Sequence, residues 1–160
     1  MHEKELKQLI EDGLRLGVLP DRNGCIAPLP RSDIARLLQD RGRIELCAGW
    51  LKLFKRTKAF SKYSCYSLKH EFLADMAHPT WSSWYVTEAG FILAALSAGF
   101  EVQARPCTRH INIGSTRPTG PRGDMSYQAR RRSRIPEALI DLARRVAREE
   151  AARVAAQSVF

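Results

Sequence analysis

The sequence predicts a mainly α-helical fold: a compact helical domain with one small β-hairpin, followed by a basic linker and a terminal helix. Three observations carry that reading. Residues 64–77 place Cys65, Leu68, Phe72, Leu73 and Met76 at helical spacing. Residues 88–98 run from a threonine cap to Gly99 with almost no charge after Glu88. A helix apolar on nearly every side belongs inside a domain, so this one is expected at the centre. Two short stretches, 100–104 and 110–114, alternate in the manner of strands.

Residues 2–16 form the first expected helix, with Leu6, Leu9, Ile10 and Leu14 on one face and Glu3–Lys7 as an i,i+4 pair. Gly13 weakens it and Gly17 ends it. The turn-forming run 20–24, then Pro28 and Pro30, reads as a connection. Residues 1–24 are therefore expected to be an N-terminal helical arm, 25–114 the core domain with its hairpin, 115–134 a basic linker and 135–160 a C-terminal helix. Ser32 is the expected cap of a helix over 33–41, which Gly42 terminates. Ile34, Leu37 and Leu38 face inward. The next helix, 44–54, aligns Ile44, Cys47, Ala48 and Leu51, with Trp50 and Phe54 flanking them and Lys52, Lys55 and Arg56 on its other face.

Ser64 caps the helix over 64–77, and Pro79 stops it. Lys69, Glu71 and Asp75 are expected to face away from its buried stripe. An aromatic corner follows at 78–86. Aromatics in loops either pin the loop to the core or form a partner hot spot. Position assigns Trp84 and Tyr85 to the core and Trp81 to the surface, and for a protein partner Trp81 and Trp84 are the candidate contacts. After the central helix comes the hairpin, expected to be the only sheet, with residues 105–109 joining its strands. Phe100, Val102, Ile111 and Ile113 cannot share one face in every register, so the pairing stays open. The terminal helix begins near Pro136 and runs toward Val159. Ile135, Leu139, Leu142 and Val146 repeat at heptad-like spacing, which fits docking on the same chain and pairing in a homodimer equally.

At 160 residues the chain is large enough for one core plus a tail. No run approaches the roughly 18 apolar residues of a membrane span, and the charged start does not read as a signal peptide. The expected location is the cytoplasm. Lys plus Arg is 26 against 17 acidic residues, a formal charge of +9. Such an excess points to an acidic partner: nucleic acid, DNA ahead of RNA, or an acidic protein surface.

Two basic tracts localise that charge. Lys52, Lys55, Arg56, Lys58, Lys62 and Lys69 occur with no acid between residues 51 and 70, and Phe60, Tyr63 and Tyr66 alternate with them. Cations for phosphates and aromatics for stacked bases are what a polynucleotide requires, and Tyr66 is included as a stacking candidate. A solvated basic face beside core aromatics is the plain alternative. From 105 to 134 there are eight arginines, Arg105, Arg109, Arg117, Arg122, Arg130, Arg131, Arg132 and Arg134, against the single acid Asp124. Guanidinium binds phosphate bidentately, which makes this the second candidate element; a solubilising tail is its alternative.

A winged-helix reading fails on the central helix, because a recognition helix must show polar side chains to a groove. Phe91, Ile92, Leu93 and Leu96 do not. Cys25, Cys47, Cys65 and Cys107 are widely spaced, and in a cytosolic chain they read as thiols, Cys47 and Cys65 on apolar stripes. Cys65 and His70 with Cys107 and His110 would make a Cys2His2 zinc set. Against it, positions five apart diverge on a helix, and no metal is assigned. Lys69 and His70 have no nucleophile or carboxylate implied by spacing, so His70 reads as structural. There is no phosphate loop, paired-carboxylate spacing or nucleophile elbow, so neither an enzyme nor a cofactor is expected.

Residues 50–114 resemble small proteins of proteobacterial plasmids, phages and integrative elements. The similarity is carried by Ser64-Cys-Tyr66-Ser-Leu68-Lys69-His70, by Tyr85-Val86-Thr-Glu-Ala-Gly-Phe91-Ile92-Leu-Ala94-Ala95, and by Gly99-Phe100 with the hairpin ending at Asn112. Two features depart from it. The connection at 78–84 is longer and more aromatic than the short glycine-containing one of those proteins, and they lack a regular cysteine at the position of Cys65. The resemblance implies a mobile-element accessory protein, a class that includes DNA-binding factors and inhibitors of host defence. The expected function is non-enzymatic nucleic-acid binding through basic surfaces; the alternative is a protein-binding inhibitor of a host defence complex.

Overall fold

Among the residues described by the computed structural model, 1–20, 29–77, 84–106, 108–114 and 135–157, the elements run α1 (Glu3–Arg15), α2 (Arg31–Gln39), α3 (Arg41–Leu51), α4 (Cys65–Met76), α5 (Glu88–Ser97), β1 (Val102–Arg105), β2 (Thr108–Ile111) and α6 (Glu137–Gln157). The fold is mainly helical with a two-stranded antiparallel hairpin.

The central helix is α5. Thr87 Oγ1 accepts from the Gly90 amide at 3.0 Å, satisfying one of the donors a helix start leaves open. Every residue from Ala89 to Ala95 is buried, with α3, α1 and α4 packed around it. Gly99, at φ +82°, reverses the chain at its end, a conformation that costs glycine least. The chain then enters the hairpin, whose register pairs Val102 with Ile111 and Arg105 with Thr108. The strands are shorter than expected, and only Pro106 and Cys107 lie between them.

α1 is no detached arm. Leu6 and Ile10 are buried in the same apolar cluster as Phe91 and Ile92, and α1 packs on α5 and α2. The cluster also takes in Leu139, Ala143 and Val146 of α6, so the terminal helix is part of this core and its apolar stripe is spent on its own chain.

α6 docks antiparallel on α3, and two glycines make the approach possible. A Cβ at Gly42 would lie 3.0 Å from Val146 Cγ1, and one at Gly49 would lie 2.7 Å from Leu139 Cδ1. Both pairs are seven residues apart, two turns on each helix. Gly42 therefore does not terminate a helix. α2 ends at Gln39, one residue, Asp40, forms the junction, and Gly42 lies in the first turn of α3. α2 itself starts at Arg31 behind Pro30, ahead of Ser32.

α4 starts as expected, with the Ser67 amide donating to Ser64 Oγ at 3.2 Å. Two of the polar residues expected to face away from its buried stripe do not face solvent. Lys69 and Asp75 are buried, because the elements flanking α4 supply partners: Trp50 Nε1 donates to Asp75 Oδ2 at 2.9 Å. Trp50 also meets Phe54 and Phe72 edge to face, with centroids 4.7 and 5.7 Å apart. No helix among the described residues is long and apolar enough to cross a membrane. The turn at 21–24, Cys25, the corner residues 78–83 with Trp81, Cys107, the linker 115–134 with Arg117, Arg122, Arg130, Arg131, Arg132 and Arg134, and residues 158–160 lie outside the described residues.

Candidate nucleic-acid interface

α3 ends at Leu51, and residues 52–64 carry the chain to α4 in a non-helical path that the hairpin holds in place. The Thr57 amide donates to Asn112 O and the Ser61 amide to Ile111 O, both at 2.8 Å; the Gly114 amide returns a bond to Lys55 O at 2.9 Å. Arg56 and Ile113 form an antiparallel bridge. His110 completes the attachment: Nδ1 donates to Ser61 O at 2.8 Å, leaving Nε2 to the Thr108 hydroxyl at 3.1 Å. The connection thus runs beside the end of β2 and the residues that follow it, without becoming a third strand of the sheet.

On that ledge Lys52, Lys55, Arg56, Lys58 and Lys62 are all exposed. Arg56 Nη1 donates to Gly99 O at 2.9 Å, and Lys62 Nζ lies 5.2 Å from the Tyr63 ring centroid. None of the five ion-pairs with a carboxylate among the described residues. Several arginines elsewhere are engaged. Arg43 grips Glu150, Arg144 meets both Glu137 and Asp141, and Arg145 reaches Glu45. The acids in these ion pairs belong to α3 and α6, so neutralisation is concentrated there and the ledge keeps its charge.

Two basic residues expected at this surface are inside the protein. Lys69 is 3 % exposed and Arg109 is 1 % exposed. Lys69 is bracketed by aromatic rings, Nζ lying 4.6 Å from the Tyr66 centroid and 4.9 Å from that of Tyr85, an attraction that replaces part of its lost hydration. Arg109 lies across from Ala104 in the hairpin, with Nε and Nη2 sealed from solvent. Its charge and that of Lys69 favour ionisation of the half-buried Glu88, although burial prevails and lifts that carboxyl above its ordinary range. Neither cation reaches a phosphate at the surface. Arg105, by contrast, is exposed, its Nε donating to Gln103 Oε1 at 3.2 Å.

The aromatic assignments also change. Trp84 is 4 % exposed, so it belongs to the core and not to a partner contact, whereas Tyr85 is 44 % exposed. Trp84, Tyr85 and Val86 alternate buried, exposed, buried, as an extended stretch against one surface must. That parity was the available signal for Tyr85. Tyr66 is 54 % exposed, with the His70 ring against it at 4.8 Å.

Cys65 and His70 diverge: the thiol is buried and the imidazole exposed. Burial raises the thiol pKa of both Cys65 and Cys47, and His110 already spends both ring nitrogens. No cluster of three or more potential metal ligands exists among the described residues. A cleft of about 520 Å³ opens between the start of α1, the α2–α3 junction and α6. Its charges are mixed and mutually engaged, Arg145 with Glu45 and Arg153 donating to Gln39 O at 2.8 Å. It is distinct from the ledge. No family model matches this chain, and neither a curated protein nor a solved structure does.

Proposed function

We propose that this protein is a non-enzymatic, cytoplasmic accessory protein of a mobile element that binds nucleic acid, DNA ahead of RNA, through the ledge at residues 52–62. One observation supports the reading above the others: five exposed cations, on a segment bonded to the end of the hairpin, have no carboxylate partner among the described residues, while Arg43, Arg144 and Arg145 do. Phosphates are the natural counter-charge for such a row. Arg105, exposed on the hairpin, and the arginines between Arg117 and Arg134 add charge whose placement the reading does not require.

A salt titration tests it. Full-length, nuclease-treated protein should bind labelled polynucleotide with an affinity that falls steeply with salt, and Lys52→Gln, Lys55→Gln and Lys58→Gln together should flatten the slope by about 2–3. Replacing the six arginines from Arg117 to Arg134 by Gln asks the same of the linker while leaving α6 in place. Absence of binding to duplex DNA and to single-stranded RNA and DNA alike, together with a nuclease-resistant stoichiometric protein complex, would overturn the reading in favour of a protein-binding inhibitor.

A further inference from the structure

We infer that Tyr66 and Tyr85 form a stacking platform for unpaired bases, so that the ligand of the ledge is a single-stranded polynucleotide. The inference rests on the nucleic-acid reading above and deepens it. The two rings come from different places, one from the first turn of α4 and one from the extended lead-in to α5, yet they meet on a single ammonium. Lys69 Nζ is within 5 Å of both centroids while each tyrosine remains about half exposed, at 54 % and 44 %.

Trp84 and Val86, on either side of Tyr85, are buried, so the extended backbone commits Tyr85 to the surface. Lys69, at 3 % exposure, cannot serve as a phosphate contact. Its charge holds two aromatic rings at fixed positions instead. Such rings are ready to stack on bases with little further ordering, and every base offers a π-face. Bases in a duplex already use both faces on their neighbours, so only an unpaired strand can occupy the platform. Lys62 lies four residues before Tyr66, and the rest of the ledge runs upstream from it, placing backbone neutralisation and the Tyr66 ring on one continuous stretch of chain.

Three probes of equal length test this on the full-length, nuclease-treated protein: an oligothymidylate, the same sugar–phosphate strand without bases, and a duplex. The intact strand should bind tightest, and the base-free strand roughly five- to a hundredfold more weakly. Tyr66→Ala and Tyr85→Ala should each move the intact strand toward the base-free value without altering the salt slope, and Tyr66→Phe should retain binding. Equal affinity for intact and base-free strands, or tightest binding of the duplex, overturns the platform while leaving phosphate binding by the ledge standing. Failure to bind any of the three overturns both. The base-free comparison uses the unaltered protein and so does not depend on how the variants fold.

Discussion

Arg43 and Glu150, 107 residues apart in the chain, meet in a bidentate pair: Nε and Nη2 of the guanidinium lie 2.7 and 2.9 Å from the two carboxylate oxygens. Both side chains are mostly buried, and the hydrogen bonds to Glu150 push the Arg43 pKa up. Glu150→Ala leaves that guanidinium with the Tyr85 carbonyl and a more distant Asp40, and should cost about 1–3 kcal/mol in chemical denaturation. An unchanged midpoint would show that α6 is held by its apolar stripe alone.

The glycine notches make a second test. Gly49→Val inserts two methyl groups beyond a Cβ already 2.7 Å from Leu139, and overpacking of this kind typically costs about 1–3 kcal/mol. Pairing it with Leu139→Ala should recover part of the loss, since the smaller side chain vacates the space. If the double variant is no more stable than the sum of the two singles implies, the helices do not touch there.

Trp50→Phe removes the indole donor from a buried carboxylate, Asp75, while keeping an aromatic ring against Phe72. The expected loss is about 1–3 kcal/mol, read as a drop in unfolding midpoint. Adding Asp75→Asn to the variant should make the remaining site cheaper to bury than the carboxylate. A Trp50→Phe protein as stable as the natural one would argue against the bond.

Asp40, at the α2–α3 junction, has its carboxyl pKa raised by burial despite Arg43 and Arg36 at 3.8 and 4.0 Å. The folded chain thus keeps this proton to a higher pH than the unfolded chain does, so the group withdraws stability as pH rises above the ordinary carboxylate range and withdraws none below it. Asp40→Asn should therefore be the more stable protein at neutral pH, with the difference vanishing in acid. A gap that widens on acidification would reverse the sign and reject the account.

Much of the architecture could be read from local chemistry. Ser64, Thr87 and Gly99 mark helix ends because caps act within four residues, and the charge-poor run after Glu88 marks the central helix because burial admits little else. What was not legible depends on distant partners. Gly42 resembles a stop, since glycine both ends helices and permits close approach; only Val146, more than a hundred residues on, decides which. Lys69 and Asp75 look like surface residues by type, and the Tyr85 ring and the Trp50 indole that help make their burial tolerable come from other elements. At the candidate site the exposed cations were legible from their sequence. So was Tyr66, whereas the exposure of Tyr85 was not, until the alternation of Trp84, Tyr85 and Val86 was placed against a surface.

The bonds that join residues 55–61 to residues 111–114 have a kinetic and entropic corollary. A loop carrying five long cationic side chains would ordinarily lose backbone freedom when a ligand ordered it, and that loss would be subtracted from affinity. Here Thr57, Ser61 and Lys55 are already fixed by main-chain bonds to Asn112, Ile111 and Gly114, so the backbone is ordered when the chain folds. Encounter with any ligand of this surface would then proceed without waiting for the loop to rearrange, and the amides of Thr57, Ser61 and Gly114 should exchange with solvent slowly whether or not a ligand is present.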